Sequence, residues 1–98
     1  MILVRNIFHL KFGKAKEAAA AIQDGMAIME REGIAEGRLL MDVTGPFYTA
    51  VLEHTYDDLS QLDAVQGKIG KSQAWQAWYG KFTPLVESGS REIFRVVE

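Results

Sequence analysis

The chain has 98 residues, 48% hydrophobic and 24% charged, with 13 acids against 11 bases and a formal charge of −2. That size and balance predict one folded domain over residues 1–98 and exclude a disordered chain, while the slight acidity argues against a nucleic-acid partner. Having no cysteine excludes disulfides, thiol catalysis and Cys-ligated metal centres.

No apolar run approaches the roughly 18 residues of a membrane helix. The opening MILVRNIFHLKF alternates and carries charge, which fits neither a signal peptide nor a transit peptide. A cytoplasmic protein with no membrane partner is therefore expected.

Residues 2–12 alternate as a strand. Ile2, Val4, Asn6, Phe8, Leu10 and Phe12 share one side, and Leu3, Arg5, Ile7, His9 and Lys11 the other. After Gly13 the period becomes helical to about Glu32, with Ala15, Ala18, Ala19, Ile22, Met26 and Met29 as its stripe. Gly25 reads as a close approach to the sheet and Gly33 as the helix stop. A second strand is expected from Arg38 to Val43, a turn at Thr44-Gly45-Pro46, and a third strand from Phe47 to Tyr56. Asp57 or Asp58 caps the next helical region, about 58–87, which Gly67 and Gly70 interrupt before Ser72 starts it again. Pro84 ends or kinks that stretch near Thr83. Ser88-Gly89-Ser90 then reads as a turn, and Arg91–Val97 as a last strand.

This order, β-α-β-β-α-β, predicts an α+β, ferredoxin-like fold: a four-stranded antiparallel sheet with both helices on one face. The uncovered face would carry Leu3, Ile7 and Arg5, joined by Ile93, Arg95 and Val97 and by one of two sets from the third strand. These sets are Phe47, Thr49, Val51 and Glu53, or Tyr48, Ala50, Leu52 and His54. Neither is uniformly polar, as a solvated sheet face normally is, so a homodimer packed sheet against sheet is expected. Glu53, Arg5 and Arg95 are candidates for ion pairs across strands in that interface.

Asn6 interrupts the apolar side of the first strand. A buried amide must find hydrogen-bond partners, so it either holds a ligand at the sheet–helix crevice or is satisfied within the core. His54 joins Asn6 as an acid or base candidate if the third strand turns its even-numbered residues to the helices. Tyr56 adds a hydroxyl at that strand's end. Trp75, Trp78, Tyr79 and Phe82 recur at helical spacing and either dock the helix or wall a pocket for a planar ligand. His9 and His54 are the only histidines and form no metal signature. No G-x-S-x-G motif or phosphate-cradling glycine loop occurs.

Three stretches, VRNIFHLKFGKAKE, LEHTYDDL and WQAWYGKFTPLVESGSREIF, carry a resemblance to the dimeric α/β-barrel superfamily and within it to NIPSNAP-like proteins. The resemblance implies a ferredoxin-like protomer whose sheet joins a second sheet in a barrel dimer. More distantly, Asn6 resembles the first-strand asparagine of antibiotic-biosynthesis monooxygenases, and Trp75 or Trp78 their helix tryptophan. Heme-degrading members of the superfamily use an axial histidine on the later helix, whereas here no His follows His54. The expectation is thus a homodimer without cofactor or metal that binds a small apolar or aromatic molecule through Asn6, His54, Trp75 and Trp78. The alternatives are a cofactor-independent monooxygenase or isomerase using Asn6, His54 and Tyr56 on an aromatic or polyketide-like substrate, and a structural dimer module without a ligand.

Overall fold

The computed structural model describes residues 1–97. In chain order the elements are β1 (Ile2–Leu10), α1 (Ala15–Arg31), β2 (Arg38–Met41), β3 (Thr49–Tyr56), α2 (Leu59–Ile69), α3 (Gln73–Phe82) and β4 (Val86–Arg95), with a 3-10 turn over Thr83–Leu85. The strands pair antiparallel in the order β2-β3-β1-β4, the ferredoxin-like arrangement. No helix is long and apolar enough to cross a membrane among the described residues.

The two later helices each begin at the cap the sequence offers. The Asp58 carboxylate accepts from the Gln61 backbone N–H at 2.9 Å, and the Ser72 hydroxyl from the Trp75 N–H at 3.2 Å. Each satisfies one of the orphan donors of a first helical turn. Gly70 and Lys71 separate α2 from α3 and let the chain turn.

Register decides which side chains meet the helices. Ile2, Val4, Asn6 and Phe8 of β1 stand opposite Tyr56, His54, Leu52 and Ala50 of β3. The even-numbered set of β3 therefore shares the helix side with Asn6. Leu10, Ala18, Ile22, Ala50, Leu52, Phe82 and Leu85 form the main core, and Val4, Tyr56 and Leu62 a second cluster under α2.

β4 departs from expectation. Ser88, Gly89 and Ser90 lie inside the strand, paired with His9, Phe8 and Ile7. Small residues suit this place because the sheet is tight there: a Cβ on Gly89 would stand 3.1 Å from the Ile7 carbonyl oxygen and 3.5 Å from the Phe8 ring. The pairing also shifts by one between His9 and Leu10. Consequently Ile93 and Arg95, opposite Val4 and Ile2, belong to the helix side, while Glu92 and Phe94, opposite Arg5 and Leu3, belong to the open side. Val97 lies beyond the strand. β1, β2 and β3 are shorter than their sequence pattern suggests, since Phe12, Val43 and Phe47 stand exposed outside the sheet.

The open face joins Leu3, Ile7, Leu40, Val51 and Phe94 around an ionic centre. Glu53, only 4% exposed, accepts from Arg5 Nε at 2.9 Å and from Arg38 Nε at 3.1 Å. Arg38 thus takes the place expected for Arg95. The Arg5 guanidinium lies 5.2 Å from the Phe94 ring centroid and 3.7 Å from a Glu92 oxygen. The hydrogen bond from Arg38 leads in holding the Glu53 carboxyl below its ordinary pKa; burial opposes the shift and Arg5 adds to it.

Candidate functional site

Between the helix side of the sheet and the three helices is a cavity of about 340 Å³. Val4, Asn6 and Phe8 of β1 and Leu52 and Tyr56 of β3 form its floor. Ile22 and Met26 of α1, Leu62 and Val65 of α2, and Trp75, Trp78 and Phe82 of α3 close it. The volume falls in the range of small-molecule sites, about 300–1,000 Å³.

The aromatic wall is built on α3. Trp78 stacks on Phe82 with ring centroids 4.9 Å apart and meets Trp75 at 4.5 Å; Phe82 in turn meets Phe8 edge-on at 5.1 Å. Trp78 Nε1 donates to the Ala21 carbonyl of α1 at 2.6 Å. The indole can reach so far because Gly25 has no side chain: a Cβ there would stand 2.5 Å from the ring. Gly25 thus marks an approach of α3 to α1, where the sequence suggested an approach to the sheet.

The polar end is made by Asn6, Arg91, Gln66 and Tyr56, all lining the cavity. Arg91 lies opposite Asn6 in the β1–β4 register, and its Nε donates to Asn6 Oδ1 at 2.7 Å. The Gln66 amide is assigned with its oxygen toward Arg91, the orientation in which it accepts from the guanidinium Nη atoms. Burial pushes the Tyr56 hydroxyl pKa above its ordinary value, and the Arg91 charge opposes the shift.

Asn6, Tyr56, Trp75 and Trp78 thus come together, and His54 does not join them. His54 is on the helix side of β3 between Leu52 and Tyr56, but is buried under the segment leading into β2, where a Cβ on Gly37 would collide with its imidazole. Arg91 and Gln66 were absent from the sequence candidates. The β4 alternation, started from the right register, is the signal that finds Arg91. No three His, Asp or Glu side chains gather as a metal-ligand set among the described residues.

Burial also lowers the His54 pKa from its ordinary 6.5. The folded state therefore favours the neutral ring, and the unfolded chain takes up the proton first. Stability is expected to be fully present above pH 6.5 and to fall as pH drops from there toward the folded-state value. Thermal melts between pH 7.5 and 5 measure it, and His54→Gln should remove the step.

The architecture is that of a ferredoxin-like α+β protein with a ligand-sized cavity between sheet and helices. Its neighbours among solved structures are NIPSNAP domain proteins, with antibiotic-biosynthesis-monooxygenase structures also among the matches. An uncharacterised NIPSNAP domain protein from Burkholderia xenovorans superposes at a TM-score of 0.87 with 22% identity, over 99% of this chain and 95% of that one. A NIPSNAP family protein from Agrobacterium tumefaciens gives 0.89 at 22% identity, over 99% and 86%. A putative antibiotic biosynthesis monooxygenase from Nitrosomonas europaea gives 0.77 at 15% identity, over the full length of both chains. At these identities the likeness establishes the fold. No family model and no curated protein matches the sequence.

Proposed function

We propose that the protein is a homodimer that binds a small apolar or aromatic molecule in the cavity between sheet and helices. The observation that carries the reading is the combination of a cavity of about 340 Å³ with two tryptophans on its wall and a polar cluster at one end. A plane of stacked rings favours a flat ligand, and a few placed polar groups orient it. The mixed apolar and ionic open face supports the dimer, because a second copy would cover Leu3, Ile7, Leu40, Val51 and Phe94 together.

Titration with neutral naphthalene-sized probes such as 2-naphthamide and 1,4-naphthoquinone is expected to change the Trp75 and Trp78 fluorescence saturably at one probe per chain. Val65→Phe, which fills the cavity from α2, should abolish the change. A lack of saturable binding by either probe would defeat the reading. Sedimentation at micromolar concentration should give twice the 11.0 kDa chain mass; a monomer alone would remove the dimer.

A second reading is a cofactor-independent monooxygenase or isomerase acting on an aromatic or polyketide-like substrate. It draws on the fold shared with the Nitrosomonas europaea protein and on Asn6 and Arg91 as donors for a developing oxyanion. With His54 outside the cavity, proton transfer would fall to Tyr56, whose raised pKa keeps it a hydroxyl near neutral pH. Binding is therefore the better-supported reading.

A further inference from the structure

The polar end of the cavity is built almost entirely of donors. Asn6 Oδ1 is occupied by Arg91, and the Gln66 oxygen also turns to that guanidinium. What these amides have left for a ligand is their NH2 groups. Arg91 adds guanidinium N–H groups, and Tyr56 a hydroxyl. Among the described residues no Asp or Glu lines the cavity.

Arg91 also differs electrically from Arg5 and Arg38. Arg5 and Arg38 are both paired with Glu53, whereas Arg91 makes no salt bridge among the described residues. Its chain neighbour Glu92 faces the opposite side of the sheet, where it lies near Arg5. Arg91 is exposed, and its guanidinium is held by neutral amides rather than by a carboxylate of the described residues. Because Asn6 fixes Nε, the Nη edge faces a neutral acceptor on α2, the Gln66 amide, which a charged acceptor outcompetes.

Taking the cavity as a ligand site, as proposed above, we infer that its ligand is an apolar or aromatic monocarboxylate, with the carboxylate seated on Arg91 beside Asn6, Gln66 and Tyr56 and the apolar body against Trp75 and Trp78. One guanidinium balances one negative charge, and its planar fork matches a carboxylate. A phosphate ester would bring close to two charges to this single cation. The apolar remainder of the cavity suits a body without further polar groups.

Equilibrium dialysis of 2-naphthoate against 2-naphthamide and 2-naphthol at pH 7 tests the inference. The three share size and ring system and differ in charge. The carboxylate should bind at least about tenfold tighter than either neutral probe, the scale of one charge-assisted hydrogen bond. Arg91→Met should bring it to within about twofold of the amide while the amide still binds, and Arg91→Lys should retain part of the preference. Equal binding of the three probes, tighter binding of 2-naphthol, or a preference that survives Arg91→Met would overturn the carboxylate and leave the cavity reading standing. Binding of none of the probes would overturn both.

Discussion

Gly25→Ala is expected to destabilise the protein by about 1–3 kcal/mol, the usual cost of overpacking, although it installs a better helix former. In an exposed helix the exchange would gain up to about 1 kcal/mol. Here the new methyl would stand 2.5 Å from Cζ2 and 2.6 Å from Cε2 of Trp78. Shifting the ring toward the cavity would break contacts that hold it: its Nε1 is bound to Ala21 O at 2.6 Å, and Trp75 and Phe82 flank it at 4.5 and 4.9 Å. Either α1 and α3 separate or the indole gives up its hydrogen bond. Chemical denaturation measures the cost, and a double-mutant cycle locates it. In a Trp78→Leu background the same change should be neutral or stabilising. A higher denaturation midpoint for Gly25→Ala alone would show that the helix contact does not require a glycine.

The second large effect belongs to the open face. Replacing both Arg5 and Arg38 by leucine leaves Glu53, 4% exposed in the native protein, without its two partners. The expected loss at pH 7 is about 1–3 kcal/mol, the cost of an unsatisfied polar group under partial cover. The pH dependence should also change sign. In the native protein the Glu53 carboxyl is held below its ordinary 4.5, so its stabilisation is present above that pH and is lost as pH falls through the folded value. In the double variant, burial acts unopposed and raises the carboxyl's pKa. The folded state then binds the proton more readily, and stability rises as pH falls from 7 toward 4.5. Urea denaturation at pH 7 and pH 5 distinguishes the two. If the variant resembled the native protein in both, the carboxylate would not depend on the two guanidiniums.

Those two predictions draw on parts of the molecule that the sequence revealed unequally. β1, α1 and the caps at Asp58 and Ser72 were legible because alternation, helical periodicity and capping chemistry act over a few residues. Asn6 stood out as the one polar break in an apolar row, and the structure puts it at the cavity. Arg91 could not be picked out the same way, since its place depends on pairing with a residue 85 positions away. The Ser88-Gly89-Ser90 stretch read as a turn because small residues usually make one. Here their smallness lets β4 lie close against Ile7 and Phe8, a tertiary cause invisible in local composition. His54 illustrates a related limit. Alternation left open which face of the sheet it takes, and the fate of a side chain on either face depends on what lies above it; Gly37 lies above His54, outside the cavity.

The position of β1 between β3 and β4 has a consequence for the order of assembly. Ile2 pairs with Arg95, a separation that spans nearly the whole sequence. While a ribosome is extending the chain, β1 can take β3 as a neighbour on one side, but its other edge has no complement until β4 has been made. The inner wall bearing Asn6 then also lacks Arg91. Such long-range closure slows folding, and the unfinished sheet offers an open edge to other chains. Productive folding must therefore wait until β4 has cleared the exit tunnel, and a chain stalled before that point is exposed to association through the edge of its first strand.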